Sequence, residues 1–403
     1  MDRWSRLTPH ELNVLESVLW LHGPTRDALL PRLSLSRTQA NSVVAGLLEQ
    51  GWLERGGQRE SSGGRRAETL CLHPSLGVLL CADIGATSLD VAVLGLDLKL
   101  RERHTEAIDV RAGPAAVLAR TRALMRELLA RCKLKPRDVL AIGLGVPGPV
   151  DFATGQLVEP PLMPGWDSYA IREDLRSDYA APVWVDNDVN LMALAELWRV
   201  KRELQNFLLI KVGTGIGCGI VCHAEVYRGA NGSAGDVGHI CVDPGGPRCH
   251  CGNVGCVEVM AGGPAIARDA TAAARSGASE LLAQRLAEAG VLTPEDVGLA
   301  GRAGDTAAHQ IVQRAGQLVG QMLASVVNLF NPSHVFVGGG LTRIGPLYLA
   351  ALRQCVYQRS LALSTRHLEV GYSPLGDSAG LIGAGVLALQ EVLRGRGKVM
   401  AAP

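Results

Sequence analysis

The 403-residue sequence predicts an aliphatic α/β protein with a small helical module in front of it. Three observations carry that reading. Hydrophobic residues make up 47% of the chain, yet only 16 residues are Phe, Trp or Tyr, so the core is built mainly of Leu, Val, Ile and Ala. The first 72 residues hold three helix signals and then a basic hairpin. Two strand–glycine turn–strand units follow, about 130 residues apart, which points to an internal duplication with nucleotide held in a cleft.

Thr8-Pro9-His10-Glu11 is a capping box with Pro at the first helical position, and Leu12, Leu15, Val18 and Leu19 follow at helical spacing. Gly23-Pro24 ends that run, and Thr25 caps a short second helix through Leu30. A third helix begins near Ser36. It carries Ala40, Val43, Val44, Leu47 and Leu48 on one face, Arg37, Thr38, Gln39, Asn41 and Ser42 toward solvent, and Gly51 as its stop. Trp52 to Arg55 and Ala67 to Leu72 read as a hairpin whose long Gly/Ser tip carries Arg55, Arg59, Arg65 and Arg66. Three helices and a two-stranded wing make residues 1–72 a winged helix-turn-helix. Its third helix offers Arg37, Thr38, Gln39 and Asn41 to base edges, while Arg65 and Arg66 meet phosphates or the minor groove. The plainer alternative is a dimerisation cap with a solvated polar face; the order of cap, glycine stop and basic wing favours DNA.

Lys plus Arg number 40 against 39 Asp plus Glu, so no global basic field exists and any DNA contact is local. The first residues lead into a charged amphipathic stretch, and no run approaches the ~18 apolar residues of a membrane span, so a cytoplasmic chain without a membrane partner is expected. Five of the ten cysteines (Cys71, Cys81, Cys132, Cys218, Cys222) are scattered through apparent core, and Cys241 and Cys355 stand apart. The other three crowd between 249 and 256, which suggests metal rather than disulfides.

After a junction at His73-Pro74-Ser75, the strand Val78 to Asp83 turns through Gly85, Ala86 and Thr87 into a second strand, Leu89 to Leu94. Backbone amides and a hydroxyl at that tip could hold phosphate. Phe207 to Lys211, the turn Gly213-Thr214-Gly215-Ile216-Gly217 and the strand Cys218 to Cys222 repeat the theme. Between them, Gly143 to Asp151 reads as a turn-rich loop after a strand Val139 to Ile142. Val183 to Asn190 is a strand that breaks into a helix running to Trp198. There Asp188 could act as a base toward a hydroxyl fixed by Asn187, or Asp186 or Asp188 could merely cap the helix. Helices span Ala265 to Leu299, broken near Gly290 and Pro294, and then Ile311 to Phe330. Val335 to Gly338 is a strand whose turn at Gly339 suits close approach by an adenosine or is simply tight. Ser378 to Ala384 opens a terminal small-residue helix.

His239 with Cys249-x-Cys251-x4-Cys256 offers one imidazole and three thiolates, a closed tetrahedral set for a structural Zn²⁺. His250, wedged between two ligands, is less able to share the metal.

The motifs Asp83-Ile84-Gly85-Ala86-Thr87, Val185-Asp186-Asn187-Asp188-Val189-Asn190, Gly213-Thr214-Gly215-Ile216-Gly217, Gly235-Asp236-Val237-Gly238-His239 and Cys249-x-Cys251-Gly252-x-x-Gly255-Cys256-x-Glu258 together resemble the ROK family of repressors and sugar kinases, in its regulator form. The resemblance implies a winged helix over 1–72 and then an actin-like, ribonuclease H-like, hexokinase-type domain. Its lobes are 76–205 plus 378–403, and 206–377 with the zinc site. It implies Asp188 as catalytic base, and Asn187, Asp188, Asp236, His239 and Glu258 as sugar ligands, His239 also holding zinc through its other nitrogen. Asp83, Gly85, Thr87, Gly213, Thr214, Gly215, Gly217 and Gly339 would face nucleotide.

Family kinases read Asp-x-Gly-Gly-Thr-Lys where this chain has Ala86 and Ser88, losing a close backbone approach and a cation. Asp236 stands where many members have Glu, which bears on which sugar fits. The expectation is a sugar-responsive, DNA-binding repressor of carbohydrate genes, a homodimer or homotetramer with an operator and a sugar effector as partners. The alternative is an ATP-dependent sugar kinase, for which alone ATP and Mg²⁺ would be cofactors.

Overall fold

The computed structural model describes residues 4–58, 68–161 and 163–395. The chain divides into two compact units, Met1–Glu203 with Ala379–Pro403, and Leu204–Ser378.

The first unit opens with α1 (Pro9–Trp20), α2 (Arg26–Leu29) and α3 (Arg37–Glu49). Local chemistry sets their starts: Thr8 and Glu11 form a reciprocal capping box, Thr25 accepts from the Ala28 amide, and Ser36 forms a second box with Gln39. Val14, Leu15, Val18 and Leu19 of α1 and Ala40, Val44 and Leu47 of α3 are buried, so these helices are held by a shared apolar face. Strand β1 (Leu53–Gln58) pairs antiparallel with β2 (Glu68–Leu72), giving the expected order of three helices and a hairpin. Arg59, Arg65 and Arg66 lie outside the described residues.

A five-stranded sheet follows, built from β3 (Val78–Ile84), β4 (Ser88–Leu94), β5 (Leu100–Ala107), β6 (Val139–Val146) and β9 (Val183–Asn187) in the order β5-β4-β3-β6-β9. The first three strands are antiparallel neighbours; β6 and β9 join in parallel. Helix α4 (Pro114–Arg131) covers the sheet with Val117, Leu124 and Leu128, and a small hairpin β7 (Val150–Asp151) and β8 (Gln156–Leu157) precedes α5 (Ile171–Arg176). Helix α6 (Asp188–Arg199) leaves β9 directly, and the last helix, α14 (Ala379–Leu393), returns to pack on α6, β3 and β6.

One reading needs correction. Gly143 to Val146 is strand, not loop, because β6 runs on to Val146. Its glycines serve packing rather than turning: a Cβ on Gly143 would overlap the Ala384 carbonyl of α14.

The second unit repeats the plan with β10 (Phe207–Val212), β11 (Ile216–Cys222), β12 (Glu225–Tyr227), β13 (His334–Gly338) and β14 (Glu369–Tyr372), ordered β12-β11-β10-β13-β14. Again the first three strands are antiparallel and the last two parallel. Its helices are α7 (Val257–Ala261), α8 (Gly263–Arg275), α9 (Glu280–Ala289), α10 (Pro294–Arg302), α11 (Thr306–Phe330), α12 (Pro346–Arg359) and α13 (Ala362–Thr365). Leu208, Ile210, Val335 and Val337 from the sheet meet Val312, Val319 and Leu352 from the helices in its core. Among the described residues no helix is long and apolar enough to cross a membrane.

Candidate functional site

In the first unit, Asp83 sits near the end of β3 opposite Gly145 of β6. A Cβ on Gly380 would overlap Asp83 Oδ2, and one on Gly145 would lie 2.9 Å from Oδ1, so bare backbone walls this carboxylate on two sides. Gly380 is the second residue of α14, whose N-terminal dipole favours the negative charge. Neither glycine carries a sequence signal for this role. At the tip beyond Asp83, the Ala86 and Thr87 carbonyls accept from the Val110 and Ile108 amides at 3.2 Å each, and the Gly85 amide donates to the Ser88 carbonyl at 2.7 Å. Thr87 is exposed.

Across Gly145 from Asp83 begins α6. Asn187, rather than Asp186 or Asp188, is its cap: Asn187 Oδ1 accepts from the Val189 and Asn190 amides at 2.9 and 3.3 Å. Its Nδ2 donates to the Gly148 carbonyl at 2.9 Å. Asp186 is buried and accepts from the Asn187 amide and Asn190 Nδ2, which leaves it structural. Asp188 is the first helical residue and only 3% exposed.

In the second unit the expected turn is shorter than read, because Ile216 and Gly217 already pair with Val212 and Lys211 in the sheet, and the remaining turn Gly213–Gly215 is crossed by two other glycine segments. Gly263 donates to the Gly213 carbonyl at 2.8 Å, and a Cβ on Gly213 would lie 3.9 Å from the Gly340 amide. Gly339 has φ 89°, and a Cβ there would overlap the Val212 carbonyl, so this turn admits glycine alone. Sequence reasoning found Gly213 to Gly217 and Gly339 but missed Gly262-Gly263. Glu258 Oε2 accepts from the Ile216 amide at 3.0 Å, so the expected sugar ligand also fastens the glycine turn. Thr214 and Asp236 are exposed.

His239, Cys249, Cys251 and Cys256 bring their ligand atoms within 4.8 Å of one another. Cys251 and Cys256 sulfurs are 3.7 Å apart, and His239 Nδ1 is 3.6 Å from the Cys249 sulfur. A disulfide would need about 2.05 Å. Tetrahedral bonds of about 2.3 Å to sulfur and about 2.0 Å to nitrogen put two sulfurs about 3.8 Å apart and sulfur and nitrogen about 3.5 Å apart. The cluster therefore fits a metal ion. His250 is exposed and outside it. The loop is shaped to hold the set: Val242 and Gly255 pair, Cys249 bonds Asn253, and Gly255 (φ 67°) has no room for a Cβ beside the Asp243 carbonyl. Burial and the neighbouring thiols push Cys256 up to about 12, so a cation is what would hold it as thiolate. The other imidazole nitrogen, Nε2, lies 3.8 Å from Asp236 Oδ1. One ring thus faces the cluster and an expected sugar ligand.

On α3, Arg37, Thr38 and Gln39 are exposed and Asn41 half-buried. Two of them are already engaged: Gln39 Oε1 accepts from the Ser36 amide and hydroxyl at 3.1 and 2.8 Å, and Arg37 pairs with Asp27 at 3.4 Å.

Two α/β units of one strand order, with a walled carboxylate in one and a glycine turn in the other, define the actin-like class to which sugar kinases belong. The ROK family model matches residues 79–391, and the chain belongs to that family. It is 32% identical to a glucokinase of Halalkalibacterium halodurans over 77% of this chain and 94% of that one. It is 28% identical to a putative xylose repressor of a Caldicellulosiruptor species over 95% of this chain and 96% of that one. Among solved structures it is similar to a ROK family transcriptional regulator described as a homologue of the E. coli MLC protein. There the TM-score is 0.78 and identity 26%, over 97% of this chain and 99% of that one.

Proposed function

We propose that the chain is a sugar-responsive transcriptional regulator, a repressor of carbohydrate-metabolism genes. Coverage carries the reading: similarity to the repressor takes in 95% of this chain, whereas similarity to the glucokinase takes in 77%. Residues 1–72 are then the DNA-binding domain, with 76–205 plus 378–403 and 206–377 as the sugar-binding lobes. On α3, Arg37, Thr38 and Asn41 read bases, Gln39 keeps its amide N–H groups for a base acceptor, and Arg65 and Arg66 meet phosphate. A palindromic operator requires a dimer or a pair of dimers in the cytoplasm.

Asn187, Asp188, Asp236, His239 and Glu258 are the sugar ligands of this reading. The metal is Zn²⁺, held by His239, Cys249, Cys251 and Cys256 as a closed structural site. It fixes the loop from which His239 offers Nε2 outward, so zinc loss and sugar loss go together. The test is a thermal shift of zinc-replete protein with D-xylose, D-glucose or N-acetyl-D-glucosamine, with and without Mg-ATP, paired with binding to DNA upstream of its own coding sequence. Stabilisation by one free sugar that also loosens DNA binding is the expected result; absence of DNA binding at moderate salt sinks the reading.

A second reading, sugar kinase, is favoured by the buried Asp188 at the start of α6 and by the Gly213–Gly217 turn with Gly339. Asp83, Gly85 and Thr87 would then face Mg²⁺ and phosphate, and Asp188 would take the sugar hydroxyl proton. Coupled-assay turnover abolished by Asp188→Asn would establish it.

A further inference from the structure

The C-terminal ends of α1 and α6 cap each other. The last four carbonyls of a helix have no partner inside it. In α1, the Leu19 carbonyl accepts from Trp198 Nε1 at 3.1 Å; in α6, the Trp198 carbonyl lies 2.8 Å from His22 Nε2. Burial lowers the His22 pKa, which favours a neutral ring, and the bond to a carbonyl then requires the proton on Nε2. The His22 and Trp198 rings also lie against each other, tilted by 32° with centroids 4.0 Å apart, and the Arg202 guanidinium sits 3.8 Å from the centre of the Trp20 ring.

Both helices reach this joint through left-handed turns. His22 has φ 55°, and Lys201 and Arg202 have φ 52° and 58°. Non-glycine residues hold such angles where their surroundings over-determine them. A second fastening lies nearby: Arg394, just past α14, pairs with Glu16 of α1 at 3.2 Å. The N-terminal module is thus bolted to the first sheet's helices rather than tethered by the chain alone.

Helix α6 is 12 residues long, about 18 Å. Its first residue is Asp188 and its cap is Asn187; its last turn holds Trp198. We infer that α6 is the strut that carries events at its capped end to the mount of the N-terminal module, with Trp198 and His22 as its positioning residues. The purpose of the strut rests on the regulator reading; its mechanics do not.

Hydrogen exchange on the full chain tests it without any ligand. Asn187→Ala removes the cap at the far end of α6. Exchange of the amides 19–23 should rise about fivefold, the factor that loss of one cap carries. Leu128→Ala, a control in α4, should leave those amides unchanged. Trp198→Phe keeps a ring but removes the N–H donor; adding Asn187→Ala to it should produce no further change at 19–23. Unchanged amides in Asn187→Ala, or effects of the two substitutions that simply add, would overturn the strut, since a merely structural Trp198 predicts additivity. If Asn187→Ala does not fold, Asn187→Asp, which keeps the cap acceptor but not the donor to Gly148, should give the same pattern at smaller size. DNA binding is measured in parallel: its absence removes the regulator reading, and the exchange data still judge the joint.

Discussion

The two sheets share one strand order, yet their first turns solve opposite problems. In the first unit the turn lies beside a carboxylate, Asp83, and glycines elsewhere in the chain strip side chains from its surroundings. In the second the turn itself is glycine, and a carboxylate from elsewhere, Glu258, ties down its Ile216 amide. A duplicated framework can therefore put its charge on the strand and its bareness on the neighbours, or the reverse. The first arrangement suits a cation or a donor, the second an anion.

Substitutions can break or sharpen that contrast. The largest effect is expected at the His239–Cys249–Cys251–Cys256 cluster of the second unit. Cys256→Ser should cost several kcal/mol there and deregister residues 240–258, Glu258 included. Amide exchange should accelerate across 213–217 and 240–258 while β3 and β6 keep their protection.

Next comes Gly380→Ala. Its methyl group would overlap the Asp83 carboxylate at both Oδ2 and Cγ, and this short side chain, walled by Gly145 on its other side, must leave its place to make room, so a loss of ~3 kcal/mol is expected in urea unfolding. Gly215→Ala is the matched substitution in the other turn. Its Cβ would meet only Glu258 Oε2, at 3.0 Å, and that side chain can yield, so the loss should stay under ~1 kcal/mol. Equal losses at the two positions would erase the contrast.

Glu258→Ala leaves the partly buried Ile216 amide without its acceptor and should cost ~2 kcal/mol, read as faster exchange at Ile216 than at Val91. The smallest effect is Ala86→Gly, which gives the first turn the glycine that family kinases carry. It should lower stability by less than ~1 kcal/mol, measured by the urea midpoint.

Features set by near neighbours were legible in the sequence. Thr8 with Glu11, Ser36 with Gln39, and the thiols at 249, 251 and 256 act across a few residues, so spacing alone exposes them. Seven strands of the two sheets were visible from their apolar runs and glycine turns, whereas the edge strands β5, β12 and β14 bury few side chains and left no such run to read. What stayed hidden depends on distant chain. Gly143 and Gly145 read as loop because a glycine pair signals a turn unless one knows that α14 and Asp83 press against them. Asn187 was named as a ligand while its acidic neighbours were weighed as caps. All three are good cap residues, and only the backbone trace decides which faces the free amides. The joint between His22 and Trp198 spans 176 positions, beyond any local pattern.

The placement of α14 has a consequence for synthesis. The strand that bears Asp83 is made before the second unit, but the helix that covers it, with the arginine that grips α1, is made only after that unit is complete. The second unit lies wholly between them in sequence and can fold while the first waits, since its contacts are complete once residue 378 has emerged. Closure of the first unit is then the long-range, slow event. A chain cut short before residue 379 would carry α1 without the arginine that pairs with its Glu16 and β3 without the helix that covers Asp83, so both lose their seat together.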